Sequence, residues 1–257
     1  MKWIKHLISL VVLLVIVVVW ANTRLSAPIA PTLPEPQSIY LEKGDSAQSA
    51  YNQLAKISQA NGGQLSAFQV KLLAWLSLRA NDYKMGEYEF DSKATLSQLL
   101  TRLSKGQITQ RKIRIAEGVT WREIKQAFAK ADLQHDAQVL SDADLVKAVG
   151  ITEPADAKSI EGLIFPDTYL YRKGEKETTV LKRAHELLNK KMAELWPKHS
   201  ANLPYNTPYE ALIMASIVEK ETGLDADRPM VAAVFVNRMR KGMPLQTDPT
   251  VIYGVGE

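Results

Sequence analysis

The 257-residue chain contains no cysteine. This absence excludes a disulfide framework, catalysis by a thiolate and any zinc site built from cysteine ligands. Acidic residues are missing from the first 25 positions, where Lys2, Lys5 and Arg24 supply three positive charges. The rest of the chain keeps 29 of the 32 basic residues against 28 acidic ones, so its charge is nearly balanced. Because a nucleic-acid interface needs a basic stripe on the folded part, this balance argues against nucleic acid as a partner.

Apolar residues are plentiful, at 46% of the chain, and they are densest near the N-terminus. No residue is charged from 7 to 23, a run close to the shortest that spans a bilayer as a helix. Lys2 and Lys5 precede this run and only Arg24 follows it closely. The positive-inside rule therefore predicts a cytoplasmic tail at 1–6, a transmembrane anchor at 7–23 and an exported remainder.

A cleaved signal peptide is the alternative interpretation of the same run. Val19 and Ala21 have the small-residue spacing that precedes a cleavage site. The apolar run is long for a signal peptide, however, and Trp20 and Arg24 make a poor cleavage neighbourhood. We therefore favour an uncleaved anchor.

Prolines follow the apolar run. Four of them lie within residues 27–36, a density that favours extended polyproline II over a packed element. The sequence predicts a semi-rigid stalk at 24–37.

A pattern of strand, glycine, hydroxyl residue and helix occurs twice after the proline-rich segment. It begins at Ile39 and at Ile113, and in the second copy Glu123 is placed as the capping-box partner of Thr120. The alternation at 86–90 predicts a further strand, so we expect an α+β region at 38–148. The pattern resembles the LysM module, which binds glycans containing N-acetylglucosamine. Ordinary strand-to-helix turns produce the same pattern.

Residues 161–171 form an unusual segment in which Glu161 and Asp167 bracket an aromatic, apolar stretch. Pro166 prevents a regular helix through it. Such a segment can line a sugar groove, with aromatic faces against the ring and carboxylates toward hydroxyl groups. The alternative is an irregular strand with Phe165 and Tyr169 packed in the core.

A helix is predicted from residue 208, with Thr207 as its N-cap and Glu210 completing a capping box. Glu219 continues the stripe of small and apolar residues on this helix. Apolar surroundings favour the protonated form of a carboxyl group, which suits a general acid. The alternative is that Glu219 pairs with an arginine such as Arg238. Glu221 faces another side of the helix and is a poor second carboxylate.

A second helix is predicted at 229–239, and it carries Asn237 toward its end. A polar, proline-broken loop follows at 243–254. Gln246 and Asp248 give this loop side-chain donors and acceptors.

Four segments, taken in order, carry a specific resemblance. They are Glu-Gly-Leu-Ile-Phe-Pro-Asp-Thr-Tyr at 161–169, Ala-Ser-Ile-Val-Glu-Lys-Glu-Thr at 215–222, Val-Phe-Val-Asn-Arg-Met at 234–239 and Leu-Gln-Thr-Asp-Pro-Thr-Val-Ile-Tyr-Gly at 245–254. Together they resemble the YceG-like, or MltG, family of endolytic murein transglycosylases, which are anchored in the bacterial inner membrane and face the periplasm. The resemblance spans the anchor, the LysM-like region and most of a catalytic region at 149–257.

The resemblance implies the fold, the reaction and the residues that perform it. The fold would be α+β: a transmembrane helix, a LysM-like small domain and a mixed α/β catalytic domain. Glu219 would be the single catalytic acid, cleaving between N-acetylmuramic acid and N-acetylglucosamine to leave 1,6-anhydromuramic ends and so terminating nascent strands. No metal or cofactor is implied. Substrate contacts would come from Gln246, Asp248, Asn237, Glu161 and Asp167.

The resemblance also implies partners and a departure from the family. The partners would be peptidoglycan strands, the inner membrane and, at family level, peptidoglycan synthases. Members of the family continue well beyond the segment that ends here at 257, so we expect the catalytic domain to lack its C-terminal part. A membrane-anchored protein that binds or scaffolds peptidoglycan without catalysis is the alternative function.

Overall fold

The computed structural model describes residues 2–80 and 83–255, and Met1 of the predicted tail lies outside them, as do the last two residues of the predicted catalytic region. The described part mixes helices with two small antiparallel sheets, which confirms the α+β class. It divides into two compact units, Met1–Gln110 and Arg111–Glu257.

The first unit is a two-stranded sheet covered by helices. β1 pairs antiparallel with β2, and Gln37 lies opposite Phe90 while Leu41 lies opposite Gly86. A buried apolar cluster, which includes Leu54, joins the sheet to the helices. The elements are α1 (Lys2–Ser26), β1 (Gln37–Leu41), α2 (Ala47–Ala60), α3 (Ala67–Leu76), β2 (Gly86–Phe90) and α4 (Leu96–Lys105).

Helix α1 contains the predicted anchor. It is long and apolar enough over Trp3–Ser26 to cross a membrane, and only 6% of its most apolar window is buried. Its last turns behave differently, because Trp20, Ala21 and Leu25 pack into the core of the first unit. The helix is therefore consistent with a single-pass anchor whose end is part of the folded unit.

The predicted stalk at 24–37 is wrong as a free segment. Ile29 is fully buried and Leu33 nearly so, and both belong to the core of the first unit. The Ile29 amide donates to the Ala94 carbonyl at 2.9 Å, and the Ser58 hydroxyl donates to the Ile29 carbonyl at 2.6 Å. The apolar residues between the prolines therefore bind this segment to the unit, which proline density alone does not reveal.

The second unit opens with the same order of elements as the first. β3 pairs antiparallel with β4 over the whole length of both strands. Two helices lie between these strands in the chain and a third follows them, as in the first unit. The elements are β3 (Arg111–Ile115), α5 (Trp121–Phe128), α6 (Asp142–Val149), β4 (Asp167–Tyr171) and α7 (Glu177–Leu195), with a 3₁₀ turn at Trp196–Lys198.

This pairing affects the domain boundary. The α+β region predicted at 38–148 crosses the division between the compact units, which lies between Gln110 and Arg111. The difference arises because β3 takes its partner from 52 residues further along the chain, so both strands fall in the second unit. The LysM-like character of the first pattern stays a prediction.

Three helices complete the described part of the second unit: α8 (Pro208–Glu221), α9 (Arg228–Arg240) and α10 (Asp248–Val255). Helices α8 and α9 share a small core of Met214, Val218 and Phe235, whereas α10 has no buried residue. The predicted loop at 243–254 is therefore only half correct. Asp248 and Pro249 begin a helix, a combination in which proline sits in the first turn at no cost in hydrogen bonds.

Candidate active site

Helix α8 begins as the sequence predicts. The Thr207 hydroxyl accepts from the Glu210 amide at 3.2 Å, and the Glu210 carboxylate accepts from the Thr207 amide, so the capping box is confirmed. Pro208 occupies the first turn. This start fixes the phase of the helix and brings Glu219 and Glu221 to its last turn.

Glu219 lies in a charged environment, so the prediction that its surroundings are apolar is wrong. Its Oε2 is 2.8 Å from Nη2 of Arg228, and the side chain is 30% exposed. Arg228 also reaches Oδ1 of Asp225 at 3.0 Å through Nη1. The short turn between α8 and α9 places Arg228, the first residue of α9, beside the end of α8. The alternative of an ion pair with an arginine therefore holds, but the partner is not Arg238.

Arg238 instead holds the segment before α10. Its Nη1 donates to the backbone carbonyls of Pro244 and Leu245 and to the side-chain oxygen of Gln246. Gln246 has a φ of +49°, a conformation that costs a residue with a side chain roughly 1 kcal/mol or more. The guanidinium thus fixes the backbone of the predicted groove segment in an otherwise disfavoured shape.

The same segment is attached to α8 through Glu221. The Thr247 hydroxyl, on a residue only 4% exposed, donates to Oε2 of Glu221 at 2.6 Å. Gln246 and Asp248 stand on either side of Thr247 and are exposed. Glu221 therefore positions the segment that carries two of the predicted substrate contacts, a role that its helix phase alone does not indicate.

The turn between β3 and α5 also lies beside Glu219. Gly118 adopts φ +68°, and a Cβ built on it would lie 3.5 Å from Cγ of Glu219. Three residues on, the Trp121 amide donates to Oε2 of Glu161 at 2.7 Å. The turn at 118–121 therefore has Glu219 and Glu161 as neighbours, although the three segments are far apart in sequence.

Glu161 also lies near the last helix. Burial raises the pKa of Tyr253, and the negative charge of Glu161 raises it further, as does the neighbouring Tyr209. Tyr253, on α10, therefore lies close enough to the Glu161 carboxylate for the two side chains to interact electrostatically. Glu161 also holds the Trp121 amide through Oε2.

Asp167 and Asn237 are both exposed to solvent. Asp167 is exposed at the start of β4, where its carboxylate accepts from the Thr168 amide at 2.6 Å. Burial, reinforced by Asp167, raises the pKa of Tyr169 to about 12. Tyr169 is packed in the core, as the alternative for this segment anticipated. Asn237 is exposed on α9.

Three residues that shape this region are not among the predicted site residues: Arg228, Thr247 and Gly118. Arg228 precedes Pro229, a helix-start pair that could have placed its side chain next to the preceding helix end. Nothing local to Thr247 indicates its burial. Within residues 2–80 and 83–255, no three histidine, aspartate or glutamate side chains cluster as metal ligands would.

Comparison with known proteins decides the family. The model of the YceG-like family matches residues 39–257. The chain belongs to the YceG-like family. Membership covers both units, from β1 to the C-terminal helices, and so includes every residue of the candidate site.

Curated relatives carry a common name. An endolytic murein transglycosylase of Bacillus subtilis strain 168 is 28% identical over 194 residues, which cover 69% of this chain and 53% of the relative. One of Streptococcus pneumoniae serotype 2 strain D39 is 26% identical over 246 residues, which cover 86% of this chain and 43% of the relative. The chain thus spans about half the length of the curated relatives it matches.

A solved structure is similar over most of the chain. It is the crystal structure of a YceG-like protein from Listeria monocytogenes, 26% identical, and the match covers 87% of this chain and 76% of the other. The TM-score is 0.44.

Proposed function

We propose that the protein is an endolytic lytic transglycosylase of peptidoglycan and that Glu219 is its catalytic acid and base. The observation that carries this proposal is the position of Glu219. It stands at the end of α8 close to both Arg228 and the turn at 118–121, with 30% of its side chain open to solvent. The names of the curated relatives support the same reaction.

The proposed reaction uses one carboxyl group twice. Glu219 protonates the oxygen that joins N-acetylmuramic acid to N-acetylglucosamine, and the bond from that oxygen to C1 of muramic acid breaks. The resulting carboxylate then takes the proton from the C6 hydroxyl of the same sugar as that oxygen attacks C1. The products are a 1,6-anhydromuramic end and a free N-acetylglucosamine hydroxyl, and Glu219 regains its proton.

This scheme explains why a second catalytic carboxylate is not needed. Glycoside hydrolysis uses two, since one protonates the leaving oxygen and the other acts as nucleophile or activates water. Here the nucleophile belongs to the substrate, and intramolecular attack has a large effective-molarity advantage. The Glu221 carboxylate accepts a hydrogen bond from the Thr247 hydroxyl. Its role is to position the segment around Thr247, and it takes no part in proton transfer.

Arg228 fits the first half of the reaction. As Glu219 gives up its proton to the leaving oxygen, a charge-assisted hydrogen bond from the guanidinium stabilises the carboxylate that forms. Arg228 would thereby hold the carboxylate in one orientation between the two transfers.

The proposed glycan contacts come from the predicted residues. Gln246 and Asp248 are exposed on the segment that Arg238 and Thr247 fix, and Asn237 is exposed on the neighbouring helix. Glu161 would use Oε1, because Oε2 holds the Trp121 amide. Asp167 completes the proposed set.

We place the reaction on the periplasmic face of the inner membrane, with α1 as a single-pass anchor and the N-terminal tail in the cytoplasm. The asymmetry of Lys2, Lys5 and Arg24 around the apolar run supports this orientation. Termination of nascent strands, glycan binding by the LysM-like region and contact with peptidoglycan synthases belong to the same proposal.

The test is a pair of variants in the full chain. Glu219→Gln keeps size and hydrogen bonding but cannot transfer a proton, so anhydromuramic ends should form at least about 10²-fold more slowly. Glu221→Gln is the matched control, because an amide oxygen still accepts the Thr247 hydroxyl, and its rate should stay near the parental one. Mass spectrometry of digested glycan strands counts the ends.

Two outcomes would contradict the proposal. A parental protein that binds murein but forms no anhydromuramic ends would indicate the binding or scaffold function instead. Near-parental rates in Glu219→Gln, with loss in Glu221→Gln, would move the catalytic role to the other carboxylate.

A further inference from the structure

Helix α3 of the first unit carries an apolar face that the core of that unit does not cover. Val70 and Leu73 are fully buried beneath the helix. On the other side Phe68 is 73% exposed and Trp75 is 66% exposed. Because these two residues are seven positions apart, they lie on the same face, two turns from each other.

The exposed face continues past the end of the helix. Leu78 is 94% exposed and holds a φ of +56°, which a branched apolar residue rarely adopts. Its amide donates to the Trp75 carbonyl at 3.0 Å, so it stays close to the last turn of α3. The face therefore presents two aromatic rings and a leucine side chain to solvent.

The second unit shows that the architecture does not require such a face. Its helix α6 occupies the same place in the order of elements as α3 does in the first unit. Leu145 and Val149 are buried there, as the core requires, but the exposed positions include Asp142, Asp144 and Lys147. Of these two helices, only α3 therefore exposes a large apolar surface.

The charged residues on α3 and on the neighbouring helix α2 are basic. They are Lys56 on α2 and Lys71 on α3, and Arg79 follows α3 by three residues. Lys71 is exposed between Phe68 and Trp75 on the same face. Aromatic rings interleaved with basic residues fit a surface that is apolar beneath and anionic at its boundary, as a phospholipid bilayer is.

The position of α1 indicates where a bilayer would lie relative to α3. Trp20 and Leu25, near the end of α1, pack against the core cluster that also contains Val70 and Leu73 of α3. The preceding turns of α1 leave that core as an exposed apolar helix. If α1 enters a bilayer, the core into which its end packs, and α3 with it, lies at the bilayer surface.

We propose that the α3 face, formed by Phe68, Lys71, Trp75 and Leu78, lies in the headgroup region of the bilayer that α1 spans. Aromatic side chains prefer this region because one part of it is apolar and the other wet. The contact would hold the first unit against the membrane at a second point besides α1. The inference rests on the proposed anchoring by α1.

The chain itself offers a clean test, because it has no native cysteine. Leu78→Cys in the full chain carries a single environment-sensitive fluorophore, and Leu13→Cys in α1 carries the same label as a reference. Both proteins are reconstituted in vesicles of phosphatidylethanolamine and phosphatidylglycerol containing lipid-borne nitroxides at shallow or deep positions. We expect a blue-shifted Leu78 label quenched more by shallow nitroxides, and a Leu13 label quenched more by deep ones.

A matched variant separates lipid contact from mere proximity. Phe68→Glu with Trp75→Glu removes the apolar rings at exposed positions, so the fold should persist while the Leu78 label returns to the emission seen in water. Quenching at Leu13 should not change. This pair of results would assign the contact to the α3 face.

The outcomes that overturn the proposal are distinct from failure of the anchor. If the Leu13 label is quenched but the Leu78 label is not, the anchor stands and the α3 contact is wrong. If neither is quenched, the anchoring on which it rests is wrong. If the Leu78 label is blue-shifted without quenching, and oxidation of unlabelled Leu78→Cys protein links two chains by a disulfide, the face binds a second copy instead.

Discussion

At the scale of single residues, the candidate site depends on two arginines with different tasks. Arg228 joins Glu219 to Asp225 across the turn between two helices. Arg238, ten residues on, holds the backbone before α10. Guanidinium groups suit both tasks, because their planar fork presents several donors in fixed directions. Lysine offers one point charge and could not replace either arginine fully.

Arg228 is expected to act through Glu219. Arg228→Ala should lower kcat for anhydromuramic-end formation by about tenfold, equivalent to about 1.4 kcal/mol, with KM nearly unchanged, because it orients the carboxylate without contacting the glycan. Arg228→Lys should restore part of kcat. Steady-state kinetics on purified glycan strands give both parameters.

Asp225→Asn is the control for this effect. Asp225 is 88% exposed at its side chain, and exposed ion pairs contribute little, so its kinetics should match the parental protein. A rise in KM as large as the fall in kcat for Arg228→Ala would show that Arg228 supports the fold and does not act through the carboxylate. The absence of any rescue in Arg228→Lys would show the same.

Residue-level prediction from the sequence succeeded where the cause is local. The capping boxes at Thr120 and Thr207 follow from residues three positions apart, and both are present. The surroundings of Glu219 could not be predicted in the same way. Helix phase gives the direction of a side chain, but Arg228 reaches it from the next helix, and only the turn between the helices decides that.

At the scale of elements, the chain uses one order of strands and helices twice. In each unit two helices separate a pair of five-residue antiparallel strands, and a third helix follows. The recurring strand–glycine–helix starts at 39 and 113 indicated part of this order. The pairing of β3 with β4 could not be predicted from them, since partner choice depends on contacts more than fifty residues apart.

The proline-rich segment gives the sharpest element-scale test. Ile29 is fully buried, so Ile29→Ala should destabilise the first unit by about 2–4 kcal/mol through lost burial and the cavity left behind. Urea unfolding in detergent micelles, followed by hydrogen exchange of α2 peptides, reports on this unit separately from the second. The amides of α2 should lose protection at lower urea than in the parental protein.

Pro31→Ala is the matched control within the same segment. Pro31 is exposed, and substitutions at exposed sites usually change stability by less than about 0.5 kcal/mol. An extended stalk would leave both variants neutral. Equal protection of α2 in Ile29→Ala and the parental protein would therefore restore the stalk.

At the scale of the whole molecule, α1 belongs to two environments. Its first turns expose apolar side chains along their whole circumference, while Trp20 and Ala21 are packed in a protein core. Cleavage after Ala21 would remove Trp20 from that core. The packing thus adds an argument against a signal peptide that the sequence alone did not provide.

The last prediction concerns the anchor itself. The intact protein should keep its N-terminus, resist carbonate extraction and give an active periplasmic phosphatase when the enzyme is fused after residue 257. Leu13→Arg with Val15→Arg should abolish the resistance to carbonate extraction and the phosphatase activity, because each arginine at the centre of a span costs about 2.5–3.5 kcal/mol of insertion free energy. Leu13→Ile with Val15→Ile keeps the apolar character and serves as the control. Mass spectrometry of the purified protein, carbonate extraction and phosphatase activity are measured for each variant. A mature N-terminus at Asn22 would establish cleavage instead, and an inactive phosphatase on a protein retained in the membrane would reverse the orientation.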